Sequence, residues 1–194
     1  MRVIAGLAKG RLLCCPKGKT IRPTSDRVKE ALFNIIINWV DGAQVLDLFA
    51  GTGSLGIEAL SRGARQAIFV DRDQESIKLI KKNLERTGLL AQAIVYRKDA
   101  LVFLQYIARK GNVFDLIFSD PPYGKVLANR IIQLVAGGSL LHSAGLLIVE
   151  HSPRESLPAQ IMNLGLWQQR SYGDTVLSFY RCASGEELLP HPKE

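Results

Sequence analysis

The sequence lacks long hydrophobic runs, although 47% of its 194 residues are hydrophobic. No apolar stretch approaches the roughly 18 residues that a membrane span requires. The opening residues, MRVIAGLAKG, begin with one basic residue and then an apolar stretch that is too short for a signal peptide. We therefore expect no contact with a membrane. We also expect one folded domain that is a monomer in the cytoplasm.

Cysteine is also scarce, and the spacing of the few cysteines excludes two kinds of site. The three cysteines are the adjacent Cys14 and Cys15 and the distant Cys182. An odd count with no C-x-x-C or Cys/His spacing is not typical of a disulfide framework or of a zinc site. We expect free thiols in a reducing compartment and no bound metal.

Acidic residues are nearly absent from the first thirty positions. Asp26 and Glu30 stand against eight basic residues there, so the segment carries a net charge of +6 out of the chain's +7. A basic arm on a nearly neutral domain favours a polyanionic partner, although a merely solvated basic surface has the same composition. The basic residues are Arg2, Lys9, Arg11, Lys17, Lys19, Arg22, Arg27 and Lys29.

The hydrophobic pattern predicts an α/β fold with an N-terminal extension. Residues 2–16 have the pattern of a β-hairpin set apart from the rest, and 22–40 that of an amphipathic helix. From Gln44 onward, strands alternate with helices, which predicts right-handed βαβ units and a doubly wound, mostly parallel sheet. We place the basic arm at 1–23, the domain at 24–183 and a flexible tail at 184–194.

The last part of the domain departs from this alternation. Residues 155–165, ESLPAQIMNLG, predict a weaker helix because Pro158 lies within it. Residues 166–183 predict a hairpin around Gly173 and Asp174, so the last strand runs antiparallel. In such sheets, ligands bind beyond the carboxyl ends of the parallel strands, where the strand order reverses.

Three strand ends carry residues that suit an adenosine-containing cofactor. Gly51, Gly53 and Gly56 form G-x-G-x-x-G between the first strand and its helix, where backbone N–H groups can approach a ligand. Asp71, at the end of the second strand, can accept both hydroxyls of a ribose. Asp99 follows the third strand, where it could accept from an adenine amino group. NAD and S-adenosylmethionine both fit this pattern.

Asp47 separates the two cofactors. It lies four residues before Gly51, in the frame D-x-F-x-G-x-G. A carboxylate beside the loop repels a pyrophosphate and attracts a cation. S-adenosylmethionine carries an ammonium and a sulfonium and has no phosphate, so the sequence favours it.

The fourth strand ends in DPPY, residues 120–123. Asp120 and the carbonyl of Pro121 can accept the two hydrogens of a base amine, whose lone pair then points toward a methyl donor. The proline rings hold these acceptors rigidly, and Tyr123 offers a face on which a planar base can stack. Asp120 or water can take the proton that the amine loses.

These motifs also resemble a known family. VLDLFAGTGSLGIEALSRGA, FVDRD and FSDPPY resemble the class I S-adenosylmethionine-dependent methyltransferases that modify amines. RVIAGLAKGR and RPTSDRVKEALFNII resemble the bacterial 16S ribosomal RNA guanine-N2 methyltransferases, the methyltransferase D type, a match that runs from Arg2 to about Ala183. The resemblance implies a seven-stranded Rossmann-like domain with an N-terminal hairpin extension. It further implies methylation of a guanine, with guanine 966 suggested, during assembly of the small ribosomal subunit.

The resemblance also assigns residues to roles. The cofactor positions are Asp47, Phe49, Ala50, Gly51, Thr52, Gly53, Asp71, Arg72, Asp99 and Ala100, of which the last two meet the adenine. The base positions are Asp120, Pro121, Pro122 and Tyr123. If the arm binds RNA, phosphates contact Lys9, Arg11, Lys17, Lys19 and Arg22, which gives affinity without selecting a base.

Other functions share part of this pattern. D/N-P-P-Y also resembles DNA adenine-N6 methyltransferases, which usually need a target-recognition insert, and protein glutamine methyltransferases, which more typically have Asn at the position of Asp120. A non-catalytic RNA-binding module explains the basic arm but not the three aligned strand-end signals.

Overall fold

A computed structural model of the chain describes residues 1–15, 26–122 and 125–183. The helices are α1 (Asp26–Ile35), α2 (Ser54–Ser61), α3 (Gln74–Thr87), α4 (Ala100–Ala108) and α5 (Lys125–Gly137). The strands are β1 (Gln44–Leu48), β2 (Gln66–Asp71), β3 (Ala93–Arg97), β4 (Phe114–Ser119), β5 (Leu141–His151), β6 (Gln160–Ile161), β7 (Leu164–Tyr172) and β8 (Thr175–Cys182). Short 3-10 turns cover Ile37–Trp39 and Leu90–Gln92.

The strands form one sheet in the order β3-β2-β1-β4-β5-β8-β7-β6. The pairs from β3 to β5 are parallel, and the pairs among β5, β8, β7 and β6 are antiparallel. The predicted doubly wound, mostly parallel class is therefore confirmed. The strand order reverses between β1 and β4, so a ligand site is expected at the carboxyl ends of these two strands.

The sheet has eight strands rather than the expected seven, because the weak helix predicted over 155–165 does not form. Pro158 cannot supply a helical N–H, and Met162 adopts φ 51, a left-handed turn conformation. Gln160 and Ile161 pair with Gly165 and Leu164 as a two-residue strand instead. The hairpin predicted after this segment is confirmed, with Gly173 at φ 61 in its turn.

Helices cover both faces of the sheet. Val45 of β1 points into a core shared with α1, α2 and α3, and its neighbour Leu46 points into a core shared with α4 and α5. This alternation along one strand explains why apolar residues face both sides of it, with Val45, Leu46 and Leu48 all buried. Asp73 caps α3 by accepting from the N–H of Ser76 at 3.1 Å, and Gly88 ends that helix at φ 74.

The N-terminal segment is part of the domain core rather than a hairpin set apart from it. Arg2 and Leu12 form an isolated antiparallel bridge, and the N–H of Val3 donates to the carbonyl of Arg11 at 3.0 Å. Val3, Ala8 and Leu13 are buried against α1, α2 and α3. The pattern missed this docking because three apolar residues in a short segment have no period that identifies their partner.

Two predicted boundaries cannot be placed on this structure. The division at residue 23 and the tail at 184–194 lie outside the described residues, so both remain predictions. Cys14, Cys15 and Cys182 are free thiols. Within the described ranges, no helix combines the length and the apolar character that crossing a membrane requires.

Candidate functional site

A cavity of about 550 Å³ opens at the carboxyl ends of the parallel strands. It brings together most of the residues predicted to bind cofactor and base: Asp47, Phe49, Ala50, Gly51, Thr52, Asp71, Arg72, Asp99, Ala100, Asp120, Pro121 and Pro122. Gly53 does not line it; its N–H donates to Ala50 at 2.7 Å and it adopts φ 77, so it shapes the loop behind the cavity. Tyr123 lies outside the described residues.

The glycine motif that spans the β1–α2 loop and the first turn of α2 requires glycine for two different reasons. Gly51 and Gly53 have φ values of 56 and 77, which favour a residue without a Cβ. Gly56 instead allows close packing, since a Cβ there would lie 2.7 Å from Cζ of Phe69 and 3.1 Å from Oδ2 of Asp47. The third glycine of the motif therefore brings α2 against β1 and β2.

Asp47 is buried beneath this loop, at 2% exposure. Its Oδ2 accepts from the N–H of Gly56 at 2.9 Å. Burial raises the pKa of Asp47 to about 7, an effect that the Gly56 hydrogen bond opposes and the nearby Asp71 reinforces. A cation in the cavity would favour the ionised form of this carboxyl.

Asp71 connects the second strand end to the loop. Its Oδ2 accepts from the N–H of Gly51 at 2.9 Å, and its Oδ1 accepts from the N–H of Asp73 at 2.8 Å. Each carboxylate oxygen has a second lone pair that can accept from a ligand. Asp71 therefore fixes the loop and also lines the cavity beside it.

Asp99 has a structural duty in addition to its place in the cavity. Its Oδ1 caps α4 by accepting from the N–H groups of Leu101 and Val102 at 2.9 and 3.2 Å. The sequence analysis placed Asp99 only near the adenine and did not indicate this capping role. Asp99 and Ala100 both line the cavity, so the adenine-binding interpretation remains open to test.

The end of β4 supplies the opposite wall. Asp120, Pro121 and Pro122 line the cavity. The pKa of Asp120 is raised, chiefly because the surrounding protein desolvates the carboxyl, and further because Glu150 and Asp47 lie near it. A carboxyl with a raised pKa is a stronger proton acceptor than an ordinary aspartate once it is ionised.

Sequence reasoning missed several residues that line the cavity. Glu150 lies near the carboxyl end of β5, a position that the strand-end rule could have identified. Met1 also lines the cavity, and its Sδ lies 3.6 Å from Oγ1 of Thr52, although nothing in the sequence pattern indicates this. Lys98 borders the cavity next to Asp99. Among the described residues, no group of His, Cys, Asp and Glu could hold a metal ion.

The basic residues of the arm divide into two sets. Lys9 and Arg11 are exposed, and Nη1 of Arg11 donates to the carbonyl of Arg86 at the end of α3. Lys17, Lys19 and Arg22 lie outside the described residues. Because Met1 reaches the cavity while Lys9 and Arg11 lie on the surface, the segment connects the cavity with the outside of the molecule.

The open sheet and its cavity at the switch point define a Rossmann-like α/β protein whose ligand site is built from strand ends. The chain belongs to the family described as Conserved hypothetical protein 95, whose sequence model matches residues 1–181.

Named relatives sharpen this assignment. The chain is 36% identical over 187 residues to ribosomal RNA small subunit methyltransferase D of Escherichia coli strain K12, covering 96% of this chain and 92% of the relative. It is 40% identical over 151 residues to the Haemophilus influenzae protein of the same name, covering 77% of this chain and 78% of the relative. The solved structure of yhhF from Escherichia coli, described as a methyltransferase, superposes on this chain with a TM-score of 0.83 at 36% identity. The superposition covers 94% of this chain and 97% of yhhF. The predicted resemblance is thereby confirmed.

Proposed function

We propose that the protein transfers a methyl group from S-adenosylmethionine to the exocyclic N2 amine of a guanine in small-subunit ribosomal RNA. One observation carries this proposal: a single cavity joins the glycine loop above buried Asp47 to the Asp120–Pro122 end of β4. The glycine loop with Asp47 suits a cationic cofactor, and the Asp120–Pro122 end of β4 suits an amine that must lose a proton.

The cavity residues fit the proposed cofactor. Asp47 is a desolvated carboxyl with one hydrogen bond donor behind it, so an ammonium group is a favourable neighbour. Asp71 suits the ribose hydroxyls, and Asp99 with Ala100 suits the adenine. When bound, S-adenosylmethionine supplies an electrophilic methyl group on a sulfonium.

The end of β4 orients the amine and accepts its proton. Asp120 and the carbonyl of Pro121 accept the two N–H hydrogens of the base, and the prolines restrict the backbone that carries them. The raised pKa of Asp120 suits a group that takes a proton as the amine becomes acidic. We expect Tyr123 to provide the stacking face.

The relatives favour ribosomal RNA over the other substrates that share DPPY. The Escherichia coli and Haemophilus influenzae proteins are both named for the small-subunit ribosomal RNA. We propose guanine N2 as the target, guanine 966 as its position and a cytoplasmic, monomeric enzyme that acts on the assembling small ribosomal particle. The basic arm is the proposed contact with the phosphate backbone.

Mass spectrometry of 16S ribosomal RNA from a deletion strain tests this function directly. We expect one N2-methylguanosine to be lost, and to return with the wild-type gene but not with Asp120→Ala. The purified Asp120→Ala protein should still bind S-adenosylhomocysteine, which separates lost chemistry from lost folding. An unchanged methylguanosine content in the deletion strain, or the loss of a methyladenosine instead, would reject the proposed substrate.

A further inference from the structure

Asn83, a residue of α3 that the sequence pattern does not single out, binds two segments at once. Its side chain is fully buried. Oδ1 accepts from the N–H of Cys14 at 2.7 Å, and Nδ2 donates to the carbonyl of Cys14 at 3.1 Å. Nδ2 also donates to the carbonyl of Thr52 at 2.9 Å. Cys14 belongs to the N-terminal segment, and Thr52 belongs to the glycine loop that lines the cavity.

The planar amide makes these contacts interdependent. Pairing with both backbone groups of Cys14 fixes the plane of the Asn83 amide, and this plane fixes the direction of the second N–H toward Thr52. A shift of the N-terminal segment would therefore break or realign the hydrogen bond to the loop. Met1 adds a second contact between the same two parts, since its Sδ lies 3.6 Å from Oγ1 of Thr52.

The loop is held from its other side by Asp71, which accepts from the N–H of Gly51 at 2.9 Å. Asp71 and Asn83 thus fix consecutive residues of the loop, one through an N–H and the other through a carbonyl. Loss of the Asn83 bond would leave a buried carbonyl without its partner, which favours a rearranged loop.

We infer that Asn83 is a positioning residue that couples the N-terminal arm to the cofactor loop. RNA bound at Lys9 and Arg11 then raises the affinity of the loop for cofactor. Because coupling between two sites is reciprocal, bound cofactor also raises the affinity for RNA. This inference rests on the proposed function, because it requires the loop to bind S-adenosylmethionine and the arm to bind RNA.

Asn83→Ala tests the inference when it is compared with Thr87→Val. Thr87 lies one turn further along α3 and is buried at 6% exposure, but its hydroxyl donates only to the carbonyls of Asn83 and Leu84 in the same helix. Both variants remove buried hydrogen bonds, and only Asn83→Ala removes the link to the loop. By calorimetry, we expect Asn83→Ala to weaken S-adenosylhomocysteine binding about tenfold and Thr87→Val to leave it unchanged.

The second measurement repeats the titration in the presence of purified 16S ribosomal RNA. RNA should raise the affinity of the wild-type protein for S-adenosylhomocysteine about fivefold and should have no such effect on Asn83→Ala. Equal cofactor affinities for Asn83→Ala and Thr87→Val, or a wild-type affinity that RNA does not change, would overturn the inference. A wild-type protein that binds no S-adenosylhomocysteine would reject the proposed function itself.

Hydrogen exchange on the wild-type protein provides a test that needs no variant. The N–H of Cys14 donates to Asn83, so S-adenosylhomocysteine should slow its exchange if the loop and the segment move together. The N–H of Gly111, which donates to Ala108 in the turn after α4, serves as the control and should not change. Unchanged exchange at Cys14 in the presence of saturating S-adenosylhomocysteine would contradict the coupling.

Discussion

Asp47 illustrates how a single residue is kept ready for a charged ligand at a cost in stability. It is almost fully buried, and its pKa is raised to about 7 from an ordinary value of 3.8 by that burial. Between these values the folded protein without cofactor holds a proton that the unfolded chain releases. The stability of that form therefore falls as pH rises from about 4 to about 7, as far as Asp47 is concerned.

We predict that Asp47→Asn makes the cofactor-free protein more stable above pH 7, by about 2 kcal/mol, because no buried charge has to form. The Asn carbonyl can still accept from Gly56, which limits the loss of hydrogen bonding. Chemical denaturation at about pH 5 and about pH 8 measures this difference. Asp41→Asn, at an exposed position, is the control; an equal gain from both substitutions would refute the explanation.

The same residue predicts a pH dependence of cofactor binding. The ammonium group of S-adenosylhomocysteine favours the ionised carboxylate of Asp47. The affinity for this ligand should therefore rise with pH and level off above about pH 7. Below that point it should fall by up to about tenfold per pH unit. Asp47→Asn should bind more weakly, without this dependence. Below about pH 7, ligand binding should release the proton of Asp47, and calorimetry in two buffers of different ionisation enthalpy would reveal it. Binding without proton release would contradict the role assigned to Asp47.

At the scale of the elements, a buried charge cluster attaches the N-terminal segment to α1 and α2. Glu58 of α2 accepts from the N–H groups of Ile4 and Ala5 at 2.8 and 3.0 Å and from Nε of Arg62 at 2.8 Å. Nζ of Lys29 lies 3.3 Å from Glu58, and burial lowers the pKa of Lys29 despite that partner. Neither Lys29 nor Glu58 is exposed.

Removal of the Glu58 carboxylate should therefore be costly. We predict that Glu58→Ala lowers the free energy of unfolding by about 3–5 kcal/mol, because Lys29 and two backbone N–H groups lose their buried partner. Glu75→Ala is the matched control: its pair with Lys78 spans 2.7 Å but is exposed, and its loss should cost less than about 1 kcal/mol. Urea denaturation compares the two, and similar losses would show that the cluster does not anchor the segment.

The arm itself gives a prediction about salt. Replacing Lys9 and Arg11 with Ala should leave S-adenosylhomocysteine binding intact and weaken RNA binding. The slope of the logarithm of the RNA-binding constant against the logarithm of salt concentration should become less steep by about one to two. Arg109→Ala with Lys110→Ala removes the same charge after α4, on the other face of the sheet. RNA-binding titrations at several salt concentrations distinguish them; equal slopes for the two double variants would show that the arm makes no specific phosphate contact.

The whole molecule separates two kinds of charge. Most of its net charge of +7 lies in the first thirty residues. The cavity, in contrast, is lined by the carboxyl groups of Asp47, Asp71, Asp99, Asp120 and Glu150 against the cations of Arg72 and Lys98. A cavity rich in carboxyl groups in a basic protein favours a cationic small ligand inside and a polyanion outside.

This separation predicts which adenosine compound stabilises the fold. S-adenosylhomocysteine at about 100 times its dissociation constant should add about 2.7 kcal/mol and raise the melting temperature by several degrees. NAD at the same concentration should have little effect, because its pyrophosphate would lie beside Asp47 and Asp71. Thermal melting measures both, and a comparable shift with NAD would reject the cofactor assignment.

The sequence by itself determined the parallel part of the sheet and most of the cavity. Periodicity, glycines and turn residues are local signals, and the carboxyl ends of neighbouring parallel strands must meet at one edge. Asp47, Asp71, Asp99 and Asp120 could therefore be predicted to converge because each lies at or near the carboxyl end of a parallel strand. The error at 155–165 arose because a short amphipathic stretch with a proline is compatible with both a distorted helix and an edge hairpin.

Only the tertiary structure decided how the N-terminal segment joins the domain. Glu58 and Asn83 look like ordinary polar positions on amphipathic helices, and a helical pattern cannot reveal that another segment covers that side. Met1 reaches the cavity because residues 1–15 dock on α2 and α3 over contacts that span more than fifty positions in sequence. Such long-range contacts depend on the packed arrangement of the helices, which no local pattern contains.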